Sequence, residues 1–349
     1  MLRSDDLSTL AASDPSLHLL RDRAPALFAC IDPARVAEGR RVARRIAAAA
    51  HDFDSAARGG RGESYRRAQT ATAVRSAGIR SLFDLLSPDR DFSSLPPDAR
   101  ILDVLGGDGL LARVVAQEAG GRWSGRILTS DVSPGMVRAA EAYGLPALCQ
   151  AAQYLVLRDA CMDGVILAYG THHIPRPDRP VVCAEANRVL RAGGRVLLHD
   201  FEDGSPVARW FGEVVHAYSR TGHAFPHFTA AEMEDYLCSA GFVDVRVGPL
   251  YDPFVLEAPS EAEARSALAG YLADMYGLVV LVRDRGAEGA RRHIGELADE
   301  YFRYDYAALG LPADFGVERT TLSRVAGGVR IELPRVALVG TGTRPPGSR

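Results

Sequence analysis

The sequence predicts an α/β protein in which a doubly wound, mostly parallel sheet carries a helical N-terminal cap and a helical insertion. Three observations predict it. Short apolar runs alternate with amphipathic helical patterns from about residue 101 to 200, as in βαβ units. The segments on either side of this region mostly show apolar residues at helical spacing. A glycine cluster follows the first apolar run, where a doubly wound fold makes a tight turn.

Composition places the chain among ordinary globular proteins and narrows the class of partner. Of its 349 residues, 47% are hydrophobic and 24% charged, and the formal net charge is -3. Proteins that bind nucleic acid usually carry a concentrated basic surface, so nucleic acid is disfavoured as a partner. All 41 basic residues are arginine, which excludes lysine Schiff-base chemistry. It is also typical of a high-GC genome such as that of an actinobacterium.

Cysteine usage and the apolar segments predict a reduced, cytoplasmic protein without a membrane anchor. The five cysteines are odd in number and scattered, with no CxxC pair. Residues 1–7 lack the apolar stretch of a signal peptide, and the run 278–282 is far too short to span a bilayer. We therefore expect neither membrane association nor a structural metal.

The predicted organisation has four parts. A helical cap covers residues 1–95 and ends in a loop with a proline pair. The sheet and its helices occupy residues 96–258, and residues 259–310 form a helical insertion or lid. Residues 311–349 contain a hairpin around Ala326-Gly327 and a last strand, which together complete the sheet.

The stretch 101–109, with the sequence ILDVLGGDG, predicts a strand, a tight turn and the start of a helix. Gly106, Gly107 and Gly109 lack a Cβ, so the backbone can turn sharply and approach a bound molecule closely. The helix that starts at Leu110 presents its free N–H groups to that molecule. A glycine turn alone is weak evidence, and its meaning depends on the elements that follow.

Residues 98–250 resemble the class I S-adenosylmethionine-dependent methyltransferases that act on small molecules in bacterial secondary metabolism. The glycine loop is followed, in the family's order, by SDVSPGM at 130–136, LVLRDACMD at 155–163, VILAYGTHHI at 165–174 and EANRVLRAGGRVLL at 185–198. Each segment is weak alone, but their ordered spacing is typical of the family. The resemblance implies a seven-stranded Rossmann-like sheet, S-adenosylmethionine as cofactor, and methylation of oxygen or nitrogen in a secondary metabolite.

The resemblance also assigns the cofactor-binding residues. Asp103 orders the loop, the glycines line the amino-acid end of the cofactor, and Asp131 binds the ribose hydroxyls. An alternative role for Asp131 is to cap the following helix. The full predicted set is Asp103, Gly106, Gly107, Gly109, Asp131, Val132, Gln150, Ala151 and Tyr169.

Two positions depart from the family's pattern. Leu105 stands where the family usually has glycine, and leucine does not easily adopt a positive φ. Ala151 stands where an aspartate commonly contacts the adenine amino group, so Gln150 or Gln153 would have to supply a hydrogen bond. These departures motivate a second hypothesis, a methyltransferase-like enzyme that performs cyclisation or elimination, such as aziridine formation, in antibiotic biosynthesis. A third is an auxiliary subunit with a degenerate pocket, which the retained acids of the loop and second strand disfavour.

Polar residues follow the fourth and fifth predicted strands, at the edge where an open α/β sheet binds ligands. Methyl transfer from a sulfonium requires alignment and, where needed, a base for the proton of the nucleophile. One of two adjacent histidines is the predicted base, since imidazole titrates near neutral pH. Their alternative role is packing and hydrogen bonding. The candidate catalytic residues are Tyr169, His172, His173, Asp200 and Glu202.

A metal site is the weaker hypothesis for the remaining histidines. His223 and His227 could join His199 around an ion, but their four-residue spacing suits a metal only on a helix, which Pro226 interrupts. We therefore predict no metal.

A small molecule is the expected partner, and the sequence leaves open a homodimer or a small partner protein. The aromatic cluster at 301–306, with Tyr271 and Tyr276 upstream, either forms the wall of a substrate pocket or packs in the core.

Overall fold

The computed structural model describes residues 14–49, 60–120 and 126–347. Residues 1–7, which lack the apolar stretch of a signal peptide, and the last two residues lie outside these ranges. The strands are β1 (Ile101–Asp103), β2 (Ile127–Asp131), β3 (Ala147–Cys149), β4 (Met162–Leu167), β5 (Leu190–Asp200), β6 (Val243–Tyr251), β7 (Phe254–Ala258), β8 (Thr321–Val325), β9 (Gly328–Leu333) and β10 (Val336–Thr343).

Helices precede, connect and follow these strands. The α-helices are α1 (Pro15–Arg23), α2 (Pro25–Phe28), α3 (Pro33–Ala49), α4 (Gly62–Gln69), α5 (Ser76–Asp84), α6 (Leu110–Glu118), α7 (Pro134–Ala142), α8 (Arg179–Val189), α9 (Pro206–Arg209), α10 (His216–Tyr218), α11 (Ala230–Ser239), α12 (Glu261–Tyr276) and α13 (Val279–Tyr301). Shorter turns of other helical types cover Thr72–Arg75, Phe92–Ser94, Thr171–His173, Arg176–Asp178 and Trp210–Val215.

Seven strands form the main sheet in the order β3-β2-β1-β4-β5-β10-β6. The strands from β3 to β5 in that order pair in parallel, and β10 pairs antiparallel with both β5 and β6. The predicted α/β class, with a mostly parallel seven-stranded sheet, is therefore confirmed.

Both faces of this sheet are buried, because successive residues of a strand point to opposite sides. Ile101 belongs to a core that includes residues of α5, α6 and α12, whereas its neighbour Leu102 belongs to a second core that includes residues of α1, α8 and α11. The helices that precede β1 thus divide between the two faces. On the second face, Arg35 of α3 pairs with Glu185 of α8 over 2.7 Å.

The hairpin near the C-terminus does not complete the main sheet, which corrects the prediction for residues 311–349. The strands β8 and β9 join through a two-residue turn at 326–327, as expected, but β9 then pairs with β7 to form a separate three-stranded sheet. The assignment of residues 254–258 to the main sheet is wrong for the same reason. Ile331 and Leu333 are buried in the core shared with α12, so this small sheet has its own helical partner. Only β10 returns to the main sheet.

The two long helices α12 and α13 pack on the small sheet and on the segment after β5. Trp210, fully buried, lies with its ring centroid 5.7 Å from that of Tyr276 and 5.1 Å from that of Phe302. Tyr276 and Phe302 therefore pack in the core against Trp210. Within the described ranges, no helix combines the length and apolar character needed to cross a membrane.

Candidate active site

The glycine loop joins β1 to α6 with little space for side chains at two of its three glycines. A Cβ on Gly106 would lie 2.6 Å from Asp103 Oδ2 and 2.7 Å from Thr129 Cγ2. One on Gly109, at φ +82°, would clash with a leucine side chain, whereas one on Gly107, at φ +56°, would meet nothing within 4 Å. The loop therefore needs glycine for packing at two positions and leaves open space beside Gly107.

Asp131, at the end of β2, is tied to the glycine loop. Its Oδ2 accepts the Gly107 amide over 3.0 Å, and its Oδ1 accepts the Ser133 amide over 2.7 Å. The hydroxyl of Ser133 caps α7 by accepting the Met136 amide, so Asp131 does not supply the helix cap. Burial raises the pKa of Asp131 to about 6, against the opposing effect of the amide donors.

Asp103 lies beneath the loop and is 1% exposed. Its Oδ2 has no hydrogen-bond partner among the described residues. Burial and the nearby Asp131 carboxylate raise the pKa of Asp103 to about 8. A positive charge beside this carboxyl would stabilise its ionised form, so the position suits a cationic group of a ligand.

Leu105 fits the loop without backbone strain. It is not among the non-glycine residues with positive φ, and its side chain packs against the core that includes residues of α1 and α8. The absence of glycine at this position therefore leaves the turn itself intact.

The two glutamines near β3 have different environments. Gln150 is 1% exposed; its Oε1 accepts the Val156 amide over 2.9 Å, while its Nε2 lacks a partner in the described part of the chain. Gln153 already donates its Nε2 to Asp178 over 3.2 Å. Ala151 is fully buried. Of the two predicted substitutes for the missing aspartate, Gln150 is therefore the one with an unused donor.

Val132 lines a cavity of about 210 Å³ between α3 and the ends of β2 and β3. The apolar side chains of Val36, Leu148 and Val156 also line it. Asp14 and Arg40 also line this cavity, whereas Asp131 and Gln150 do not.

Tyr169, which follows β4, combines an unusual backbone conformation with a buried polar neighbourhood. Its φ is +59°, a conformation that is sterically costly for a tyrosine and is concentrated at functional sites. Its ring lies 3.8 Å from the Arg75 guanidinium and 4.2 Å from the His199 ring, and its hydroxyl donates to Asp252 Oδ1 over 3.2 Å. Burial raises the pKa of Tyr169, so its hydroxyl keeps its proton and acts as a donor.

Arg75 is a functional candidate that sequence reasoning missed. It is 3% exposed, and its Nε has no hydrogen-bond partner within the described ranges, where no carboxylate pairs with it either. An arginine in an apolar helical pattern carries no motif, so nothing in the sequence distinguished it from a solvated charge.

Asp252 and Arg335 form a second buried feature that the sequence did not indicate. They make an ion pair in which both side chains are at most 4% exposed. Nε2 of His199 lies 3.9 Å from Asp252 Oδ2, and burial lowers the pKa of His199 to about 4. His199 thus belongs with this pair and Tyr169 rather than with the histidines of the loop after β5.

Asp200 holds two other histidines from the opposite side of β5. It accepts hydrogen bonds from Nδ1 of His172 and Nδ1 of His227, each over 3.0 Å, and from the backbone amides of His172 and Phe201. Although burial works against it, the two histidines hold the pKa of Asp200 well below its usual range. A carboxylate with this many donors positions its neighbours and is not available as a base.

His173 and His223 extend this group, which we call the histidine cluster (His172, His173, His223 and His227). The ring centroids of His172 and His173 are 4.5 Å apart, and those of His172 and His223 are 5.0 Å apart. The Phe211 ring stacks on His223 at 4.4 Å. The coil that includes Pro226 therefore brings His223 and His227 to the pair after β4, although the sequence had considered them only together with His199.

Glu202 does not join the cluster. Its side chain is exposed, and its backbone bridges to Phe228. Among the five predicted catalytic residues, the structure thus brings together His172, His173 and Asp200, places Tyr169 on the other side of the strand, and leaves Glu202 outside.

The comparisons with known proteins match the same region. A family model described as a methyltransferase domain matches residues 102–198, from β1 to β5. Over residues 102–198, the chain is therefore similar to a methyltransferase domain. The resemblance stated from the sequence motifs is thereby confirmed for this segment.

Curated relatives of this methyltransferase domain include ubiquinone/menaquinone biosynthesis C-methyltransferases named UbiE. The protein of Bordetella avium is 31% identical over 132 residues, which are 36% of this chain and 49% of the relative. That of Acidiphilium cryptum is 36% identical over 114 residues, which are 30% of this chain and 43% of the relative. The chain thus spans about half the length of the curated relatives it matches.

Solved structures similar to the chain include methyltransferases. A SAM-dependent methyltransferase from Archaeoglobus fulgidus is 14% identical, with a TM-score of 0.38, and the match covers 70% of this chain and 86% of that one. A Haemonchus contortus phosphoethanolamine N-methyltransferase in complex with S-adenosylhomocysteine is 16% identical, with a TM-score of 0.42, and the match covers 76% and 52%.

Proposed function

We propose that the chain binds S-adenosylmethionine along the carboxyl ends of β1 to β4 and transfers its methyl group to a small molecule. Three buried polar atoms without hydrogen-bond partners among the described residues carry this proposal. They are Asp103 Oδ2, Gln150 Nε2 and Arg75 Nε. Buried polar groups in native proteins are nearly always paired, so these unpaired atoms support the binding of a polar ligand.

We assign each of these atoms, together with Asp131, to one polar group of S-adenosylmethionine. Asp131 would accept hydrogen bonds from the ribose hydroxyls, and Asp103 would pair with the ammonium group. Arg75 would bind the carboxylate, for which a guanidinium is the geometric complement. Gln150 would donate to a ring nitrogen of adenine.

Bound S-adenosylmethionine supplies an electrophilic methyl group on a sulfonium, so the protein has to align the acceptor and receive its proton. His172 and His173 follow β4 at the same edge of the sheet, and the histidine cluster is the proposed place for the acceptor atom. Burial lowers the pKa of His172 and lowers that of His173 well below its usual value, so both imidazoles are neutral near pH 7. Asp200 is a positioning residue, because it fixes the ring of His172. Tyr169, whose hydroxyl donates to Asp252, would contribute its ring to the cofactor side.

We propose an acceptor from secondary metabolism, methylated on oxygen or nitrogen. The aromatic and imidazole rings around the cluster suit a compact organic molecule, and the lysine-free composition supports an actinobacterial origin. The alternative, cyclisation or elimination on the same fold, rests on Leu105 and Ala151. It loses support because Leu105 leaves the turn intact and Gln150 offers a donor beside Ala151.

Calorimetric titration with S-adenosylmethionine and S-adenosylhomocysteine tests the proposal. We expect binding of the wild-type protein in the micromolar range and at least about tenfold weaker binding by the variant Asp131→Ala. Asp235→Ala, which removes an exposed acid from α11, is the matched control and should bind as the wild type does. An absence of wild-type binding at high micromolar ligand would reject cofactor binding and return the non-methylating alternative to first place.

A further inference from the structure

We propose that the histidine cluster is a binding site for a divalent first-row transition metal ion, with His172, His173 and His223 as ligands. The proposal differs from the sequence-based expectation, which considered His223 and His227 together with His199. It does not depend on the methyl donor, because it rests on residues that lie on the opposite side of β5 from His199 and Tyr169.

The first observation is the convergence of three imidazoles. One ring nitrogen each of His172, His173 and His223 lies within 4.8 Å of the others. Nitrogens that share one zinc ion at about 2.0–2.1 Å are roughly 3.3 Å apart in a tetrahedral site, so small ring rotations would bring these three atoms to bonding distance. The three residues come from the turn after β4 and from the coil at 219–228, which fold against each other at this point.

The second observation is the state of the nitrogens. Nε2 of His172 and Nε2 of His223 are both buried and have no hydrogen-bond partner within the described ranges. If the rings were there only for packing, each of these nitrogens would be buried without replacing the hydrogen bond it makes to water, which destabilises the folded state. Several such atoms at one place are rare in native proteins. A cation that takes their lone pairs would remove this cost.

The third observation is the orientation of the rings by Asp200. A carboxylate only accepts hydrogen bonds, so Nδ1 of His172 carries the proton and Nε2 carries the lone pair that a metal needs. The same carboxylate fixes the ring of His227, whose Nε2 is also buried without a partner in the described residues. Histidine ligands of metals commonly donate their other ring nitrogen to a carboxylate in this way. His227 thereby adds a fourth oriented imidazole beside the three ligands.

The donor set selects the class of ion. Imidazole nitrogens suit Zn²⁺, Fe²⁺, Co²⁺, Ni²⁺ and Cu²⁺, whereas Mg²⁺ and Ca²⁺ prefer oxygen ligands. Three histidines also leave coordination positions open, as in catalytic zinc sites. His173 is only partly buried, so the cluster is accessible from its side. A metal here would polarise an oxygen atom of the acceptor and favour loss of its proton.

Metal titration of the untagged, chelator-treated protein tests the proposal. We expect about one Zn²⁺ per chain with a Kd below about 1 µM, measured by competition with a chromophoric chelator. Co²⁺ should give the visible absorption of a low-symmetry nitrogen site. The variant His223→Ala should weaken Zn²⁺ binding at least about 100-fold and abolish the Co²⁺ bands.

Two further variants make the result specific. His18→Ala removes a half-exposed histidine from α1 and should bind Zn²⁺ as the wild type does. His173→Ala provides a second ligand variant if the change at residue 223 prevents folding, and thermal unfolding of each variant monitors its fold. The proposal is overturned if wild-type protein binds less than about 0.2 Zn²⁺ per chain, or if a folded ligand variant binds Zn²⁺ and Co²⁺ as the wild type does. Binding of S-adenosylhomocysteine is measured separately, so failure of one proposal leaves the other intact.

Discussion

Gly107 donates its backbone amide to Asp131 Oδ2 over 3.0 Å, and this hydrogen bond connects the turn after β1 to the acid at the end of β2. The two elements that the cofactor proposal needs are thus fixed to each other by the protein itself. A Cβ at Gly107 would enter open space, so a substitution there can weaken ligand binding without disturbing the packing of the protein.

The variant Gly107→Ala should therefore weaken cofactor binding more than it weakens the fold. The backbone strain of alanine at positive φ costs about 1 kcal/mol, and the new methyl group projects into the proposed cofactor space. We expect the Kd for S-adenosylhomocysteine to rise at least about tenfold. Gly120→Ala is the matched control, since Gly120 has φ +58° and equally open surroundings just after α6. Comparable loss of affinity in both variants would contradict the assignment.

Asp103→Asn should stabilise the ligand-free protein at alkaline pH. In the unfolded chain this carboxyl titrates at about 3.9, whereas burial and Asp131 raise its pKa to about 8 in the folded chain. The folded state therefore holds an extra proton between about pH 4 and pH 8, so the stability linked to that proton is complete below about pH 4, decreases across this range and is lost above about pH 8. Thermal unfolding should show a Tm several degrees higher for the variant than for the wild type at about pH 8, and little difference near pH 4.5. A variant less stable than the wild type at the alkaline pH would show that Asp103 is not held protonated.

The same carboxyl should make cofactor binding depend on pH. Pairing with an ammonium group requires ionised Asp103, so binding at about pH 7 should release a proton. Affinity for S-adenosylhomocysteine should rise at least about tenfold between pH 6 and pH 8.5, and calorimetry in buffers of different ionisation enthalpy should detect the released proton. In Asp103→Asn the proton release should disappear. Proton uptake by the wild type would contradict the proposed pairing.

The two glutamines near β3 should differ in their importance. Gln150→Ala removes the unused Nε2 donor and should weaken S-adenosylhomocysteine binding by about 1–2 kcal/mol, or roughly 5- to 30-fold. Gln153→Ala should leave the affinity within about twofold, because its amide already serves Asp178. Only Gln150→Ala removes the acceptor of the Val156 amide. Thermal unfolding of both variants therefore shows whether this loss destabilises the fold. Equal affinities in the two variants would remove Gln150 from the site.

The sequence predicted those features whose chemistry is local along the chain. The parallel strands are apolar runs between amphipathic helices, and the glycine loop and Asp131 lie at fixed spacing from them, so both the fold class and this part of the site were accessible. The separate sheet of β7, β8 and β9 was not, because strand partners of a hairpin are chosen by tertiary packing against α12.

The remaining site residues depend on packing across the fold. Arg75 is distinctive only because its surroundings leave it unpaired, and the Asp252–Arg335 pair joins residues on different elements. The adjacent residues His199 and Asp200 illustrate the same limit. They face opposite sides of β5, so His199 joins Tyr169 while Asp200 joins the histidine cluster. The coil at 219–228 has no periodicity from which its fold against the turn after β4 could be inferred.

Differential hydrogen–deuterium exchange with and without S-adenosylhomocysteine tests the central claim most directly, because it locates the bound cofactor on the chain. We predict slower exchange at residues 101–110, 130–136 and 147–156 when the ligand is bound, with the hairpin at 321–333 unchanged. Unchanged exchange at the glycine loop under saturating ligand, or protection confined to other segments, would contradict the claim that this loop and Asp131 form the cofactor site.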